Sequence, residues 1–241
     1  MAQSIDYIKT GVPGVDSILD GGIYPGSAVL VSGPPGSGKS IFGMQFIYAG
    51  AKEYGEDGMI ISIEETDDSL SGYARSIGWE EWDPLVKKGS ITTLTGDYFS
   101  RLDLPGSLKG IMDKVSDTGA RRIVLDSVNL FKYYFPEGED RRRYMLKFIG
   151  ILKKRGITSL LISEAMEVFP QMHLTDEMYM SDGNVNLFIS RTGSNIERCF
   201  WVTKMRRQPF SMKIVPMSIG KGGIEVYPDA IPYSLAAEVT T

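Results

Sequence analysis

The stretch VLVSGPPGSGKS, residues 29–40, constrains this chain more than any other. An apolar run leads into Gly33, Pro34, Pro35, Gly36, Ser37 and Gly38, and Lys39, Ser40 and Ile41 follow. From Gly33 to Ser40 the spacing is G-x-x-x-x-G-K-[ST], the phosphate-binding loop that joins a strand to a helix. Glycines there let successive N–H groups converge on one anion, and the following helix offers its unpaired N–H groups and positive end. Lys39 would reach the β- and γ-phosphates, and the Ser40 hydroxyl would ligate Mg2+. The flanks agree: SAVLVS reads as a buried strand, and SIFGMQFIYAGAKEYG carries apolar residues at helical spacing before a glycine stop. A glycine-rich turn with an incidental lysine would not need that strand-loop-helix setting.

The rest of the chain alternates in the same way. Strands are expected at 58–64, 90–96, 121–127, 158–164, 185–190, 198–205 and 212–219, and helices at 40–54, 67–77, 104–118 and 140–155. This alternation predicts an α/β fold with a mostly parallel sheet, helices on both faces and antiparallel strands at the C-terminal end. The 241 residues are expected to form one domain, 1–241. A long Met-rich loop is expected from about residue 165 to 183.

Composition narrows the function classes. A net charge of −4 argues against a surface built mainly for nucleic acid or anionic lipid. No apolar run approaches the length of a membrane span, and MAQSIDYIKTG lacks a signal peptide's apolar core. Cys199 is the only cysteine, which excludes an intrachain disulfide and points to a cytoplasmic protein. His173 is also alone, so a Cys/His metal site or a histidine-dependent triad within one chain is excluded.

Two places beyond the loop carry chemistry. RRIVLDS runs apolar and then sets Asp126 at a strand's C-terminal end, where such proteins hold Mg2+, directly or through water. IISIEET ends another strand with Glu64 and Glu65, and a carboxylate there can orient the water that attacks a γ-phosphate. The plain structural alternatives are a solvated Asp and an acidic helix start. Thr66 and the Asp pair behind it can do the capping, which leaves the glutamates unexplained by it.

These motifs, in this order, resemble the KaiC-like branch of the RecA-type ATPases. The resemblance runs from TGVPGVDSILDGGI (10–23) through the phosphate loop, EET (64–66), ARSIGW (74–79) and RRIVLDS (121–127). It continues through SDGNV (181–185), KMR (204–206) and GIEVYP (223–228), and so covers nearly the whole chain. It implies a RecA-like P-loop core that binds ATP with Mg2+, and a homo-oligomeric ring, usually a hexamer, with nucleotide between subunits. The family's paired catalytic glutamates match Glu64 and Glu65, its Walker B acid matches Asp126, and the serine near its nucleotide matches Ser76. Its Lys-x-Arg, which reaches the adjacent subunit's phosphates, matches Lys204 and Arg206. Residues two apart on one strand project from the same face, which agrees with a paired role.

The departures also carry information. After KMR the family commonly has glycine, whereas this chain has Arg207, Gln208, Pro209 and Phe210. Clock-type members autophosphorylate an adjacent Ser-Thr pair; the matching positions here are Met178 and Tyr179, which disfavours an autokinase. The expected activity is therefore ATP hydrolysis by a ring-shaped oligomer with a regulatory or signalling role. A RadA-paralogue-like protein on single-stranded DNA is less favoured, because the loops expected to face a pore carry Glu164, Glu167, Asp176 and Glu177. The clusters RRR (141–143) and KKR (153–155) read as outward helix faces. A nucleotide-gated scaffold with little turnover is a third reading.

Overall fold

The computed structural model describes residues 5–99, 104–134, 138–164, 175–192 and 194–236. Among them, nine strands form one sheet: β1 (Ala28–Gly33), β2 (Gly58–Ser62), β3 (Ile91–Leu94), β4 (Arg122–Asp126), β5 (Thr158–Glu164), β6 (Gly183–Thr192), β7 (Asn195–Met205), β8 (Val215–Gly220) and β9 (Gly223–Val226). Their order is β3-β2-β4-β5-β1-β6-β7-β8-β9. Every pairing from β3 across to β6 is parallel, and every pairing from β6 to β9 is antiparallel.

Strand residues alternate between the two faces, so the inner strands feed two separate cores. Val29, Val31, Ile60, Val124, Leu160 and Ile162 belong to one. Leu30, Met59, Ile61, Ile123, Leu125 and Leu161 belong to the other. The helix Lys39–Glu53 covers the first core with Phe42, Phe46 and Ile47. Helices Leu104–Asp117 and Gly138–Lys154 cover the second with Ile111, Val115, Met145, Phe148, Ile149 and Leu152. Both faces are thus closed by helices, as the alternating pattern requires. Among the described residues no helix is long and apolar enough to cross a membrane.

One polar group sits inside this packing. Arg122, at the start of β4, is only 1% exposed. Its guanidinium pairs with Glu56 through Nε at 2.6 Å and also donates to the carbonyls of Lys9 and Phe46 at 2.8 and 3.0 Å. It stacks over the Phe46 ring, 4.7 Å from the centroid. The helix can pass this close because residue 50 is glycine: a Cβ there would lie 2.5 Å from Arg122 Cδ. A mid-helix glycine costs about 1 kcal/mol relative to alanine. Here it makes room for a buried charge whose loss would cost more.

Several elements differ from expectation. β9 and the short helices Trp82–Lys88 and Asn129–Tyr134 are additions. The segment expected as one loop from 165 to 183 contains the helix Asp176–Met180 and the first residue of β6. Glu167 and His173 lie outside the described residues.

Candidate functional site

β1 delivers the chain to Gly33, and the helix Lys39–Glu53 starts after Gly38. Gly38 has φ +104, a left-handed conformation, and a Cβ there would also press on Ile219 Cδ1 at 2.8 Å. Ser37 N–H donates to the Pro34 carbonyl at 3.2 Å, which closes the loop into a compact turn. Pro35 and Gly36 form its exposed crown, and Ile41 packs against the first core. The Ser37 hydroxyl is buried and has no hydrogen-bond partner among the described residues. That orphaned group is what a loop shaped around an absent acceptor would carry.

Lys39 folds back over this loop, and its Nζ donates to the Pro34 carbonyl at 3.0 Å. Burial lowers its pKa from the usual lysine value, while the charges of Glu164 and Asp126 hold the proton on. Glu164, the last residue of the strand expected at 158–164 and one of the acids expected at a pore, is the last residue of β5 and stands in register with Gly33. Asn129 Nδ2 lies 3.5 Å from its carboxylate. The signal for it was present, since TSLLISE closes an apolar run with an acid just as RRIVLD does.

The Ser40 side chain stands beside the Asp126 carboxylate at the end of β4. Burial raises the Asp126 pKa, and the negative charges of Glu64 and Glu65 raise it further; Ser40 and Lys39 oppose them. β2 and β4 are neighbours with Ser62 opposite Asp126, so the chain leaving β2 carries both glutamates past it. Glu64 is exposed and lines a hollow with Ile63, Ser127, Asn129 and Leu130; Glu65 is half-buried. Glu65 N–H donates to Ser62 Oγ at 3.3 Å and its carbonyl accepts Gly96 N–H at 3.1 Å. Thr66 caps the next helix by accepting Ser69 N–H at 3.1 Å, so capping does not use the glutamates.

A hydroxyl beside a carboxylate, with two further negative charges near, is a hard-oxygen setting that suits Mg2+. No group of three or more His, Cys, Asp or Glu among the described residues could hold a metal alone. An ion at Ser40 and Asp126 would therefore need oxygens from elsewhere, and phosphates are the natural source.

The floor of the loop comes from the far part of the chain. Ile219 and Ile224 of the β8–β9 hairpin lie against Gly38. Gln45 Nε2 donates to the carbonyls of Gly11 and Ile224 at 3.0 and 3.1 Å, and its Oε1 accepts Ile224 N–H at 2.7 Å. Trp79 Nε1 donates to the Gly222 carbonyl at 2.9 Å. Arg198 of β7 reaches the crown and donates to the Gly36 carbonyl at 3.1 Å. Gln45 and Arg198 had no sequence signal. Ser76 is exposed, and its hydroxyl donates to the Tyr73 carbonyl of its own helix at 2.8 Å.

Lys204 and Arg206 are not part of this assembly. β7 runs away from the phosphate loop, and Arg206 N–H meets the Asp182 carbonyl beside Ala28, where β1 begins. The length of β1 puts that turn about 16 Å from Gly33. Arg206 lies just beyond the strand's last residue, Met205, rather than on it as the two-residue spacing suggested. Lys204 Nζ donates to the carbonyls of Met178 and Ser181, each at 2.7 Å. Lys153 of the expected outward face KKR instead turns to Asp182, with Nζ at 2.7 Å from its carboxylate.

Comparison with known proteins matches this arrangement. A family model described as ATPase: KaiC matches residues 8–231. A UPF0273 protein from Methanocaldococcus jannaschii is 31% identical over 93% of this chain and 97% of its own length. The circadian clock oscillator protein KaiC of Synechococcus elongatus is 29% identical over 94% of this chain, which corresponds to 45% of that longer protein. The crystal structure of a KaiC-like protein from Pyrococcus horikoshii superposes with a TM-score of 0.83 at 32% identity, covering 93% of this chain and all (100%) of that one.

Proposed function

We propose, on the premise that this chain belongs to the KaiC family of ATPases, that it hydrolyses ATP with Mg2+ as a ring-shaped oligomer, residues 1–241 forming one domain that acts in the cytoplasm as a regulatory switch.

The placing of Ser40 and Lys39 beside Asp126, near the charges of Glu64 and Glu65 and at the end of the phosphate loop, carries this reading. ATP phosphates would lie in the loop from Gly33 to Ile41, taking N–H groups of the loop and the Lys39 ammonium from its present carbonyl partner. Ser40 and Asp126 would hold Mg2+, which supplies positive charge against the β- and γ-phosphate oxygens. Glu64 or Glu65 would orient the attacking water and take its proton, since both stand at the strand edge that the γ-phosphate would face. Ser76 is assigned to the nucleotide's surroundings by family resemblance alone.

The distance of Lys204 and Arg206 from their own phosphate loop supports a shared site. Cations about 16 Å away along β1 cannot stabilise charge on their own chain's nucleotide. A head-to-tail contact between copies would bring them to a neighbour's phosphates, and such a contact closes into a ring when the rotation permits. Steady-state ATP hydrolysis at known oligomeric state, with and without single-stranded DNA, tests the whole reading. Turnover that rises through the association range and ignores DNA is the expected result. Absence of turnover in the assembled protein would favour a nucleotide-gated scaffold instead.

A further inference from the structure

The turn after β7 presents a cation that the shared-site reading leaves without a role. Arg207 has φ +67, a left-handed conformation that costs a non-glycine residue free energy. Its guanidinium stacks over the Tyr24 ring, 4.6 Å from the centroid, and Nη2 lies 3.8 Å from Asp182 Oδ1. Arg206 Nη1 lies 3.8 Å from the same oxygen. Neither separation is a hydrogen bond.

The Asp182 side chain is 3% exposed and has closer partners than the arginines. One oxygen accepts Ala28 N–H at 2.9 Å, and the Lys153 ammonium lies 2.7 Å from the carboxylate. Lys204 is engaged with backbone carbonyls. The two arginine side chains, 53% and 48% exposed, therefore keep donors available. Four cations (Lys153, Lys204, Arg206 and Arg207) surround one buried carboxylate, an excess of three positive charges by difference. Burial lowers the Lys204 pKa, and Arg206 and Lys153 lower it further despite Asp182. A cluster so charged and partly exposed is suited to a compact polyanion.

The turn is also held in place. Gln208 donates to the carbonyls of Leu19 and Gly22, each at 2.8 Å, and accepts Tyr24 N–H at 2.8 Å. Tyr24 thus fixes both the backbone after Arg207 and the plane on which its guanidinium rests.

We infer that Arg207 is a second phosphate-binding arginine, presented beside Arg206 to the triphosphate held in the neighbouring subunit's loop. The inference rests on the shared-site reading. Arg207→Gly removes the guanidinium while relieving the left-handed backbone, so the fold should be kept. In the assembled protein, this variant should hydrolyse ATP roughly 10²-fold more slowly, as for loss of one donor to transition-state charge. Its thermal midpoint should stay unchanged. Mixing it with Lys39→Ala should restore part of the rate, because a site can then pair an intact loop with a neighbour's intact Arg207. Full activity in Arg207→Gly alongside a slow Arg206→Ala would overturn the inference and leave Arg207 as a prop on Tyr24. Full activity in both variants would overturn the shared-site reading itself. A rate that falls with thermal stability, is matched by Tyr24→Leu, and is not rescued by mixing would also overturn it.

Discussion

The Lys39 ammonium and the Pro34 carbonyl, 3.0 Å apart, are joined by a hydrogen bond that closes the phosphate loop on itself. Incoming phosphates must replace that carbonyl as the lysine's partner. The exchange is favourable because a charge-assisted bond to an anion is stronger than one to a neutral carbonyl. Lys39→Ala should therefore weaken ATP binding by roughly 10-fold or more, a charge-assisted bond being worth about 1.5–3 kcal/mol. Calorimetric titration measures it, and unchanged affinity would remove Lys39 from the site. Ser40→Ala should raise the Mg2+ concentration needed for turnover while leaving the folded spectrum intact.

Glu64 and Glu65 separate binding from hydrolysis. Replacing both with Gln keeps their size and hydrogen bonding but removes either potential base. ATP should remain bound while turnover falls roughly 10²-fold or more, the range for losing general-base assistance. Wild-type rates in single-turnover assays would show that neither acid handles the water.

On the proposed reading, Glu164 should set the alkaline limit of binding. Burial lowers the Lys39 pKa and Glu164 holds it up, so Glu164→Gln should lower it further. Lysine loses its charge as pH rises through its folded pKa. The alkaline fall in ATP affinity should thus move to lower pH in Glu164→Gln, with the neutral-pH affinity less affected. Titrations from neutral pH upward measure the limb; a shift the other way would mean that the carboxylate repels the nucleotide more than it serves the lysine.

Arg122 holds the fold rather than the chemistry. Arg122→Met leaves the half-shielded Glu56 carboxylate and the carbonyls of Lys9 and Phe46 without their donor. Removing one partner of a buried pair costs about 3–5 kcal/mol. Urea unfolding should report a loss of that size. A loss under about 1 kcal/mol, the level of an exposed pair, would contradict the burial argued for it.

The parallel half of the sheet and the phosphate loop were legible in the sequence because local pattern and global fold demand the same thing there. An apolar strand, a glycine turn and a largely apolar helix are each recognisable within a dozen or so neighbouring positions. Asp126 was legible for the same reason, as an acid closing an apolar run. Glu164 closes a similar run, yet only the pairing of β5 with β1 reveals that it stands beside the loop. β9 is four residues long, too short for a period to register. The bonds from Gln45 to Ile224 and from Arg198 to Gly36 join residues 179 and 162 positions apart. Separations of that size leave no local trace, and the same holds for the cations gathered around Asp182.

The hairpin beneath Gly38 has a consequence for how the protein is made. A ribosome releases the phosphate loop early and the β8–β9 hairpin long afterwards, yet Gln45 and Ile224 must meet before that loop rests on its floor. During most of synthesis the loop has its glycines and its lysine but nothing beneath its turn. A nucleotide that needs this floor would favour only a chain translated past Val226, and by binding the native state it would stabilise the finished molecule.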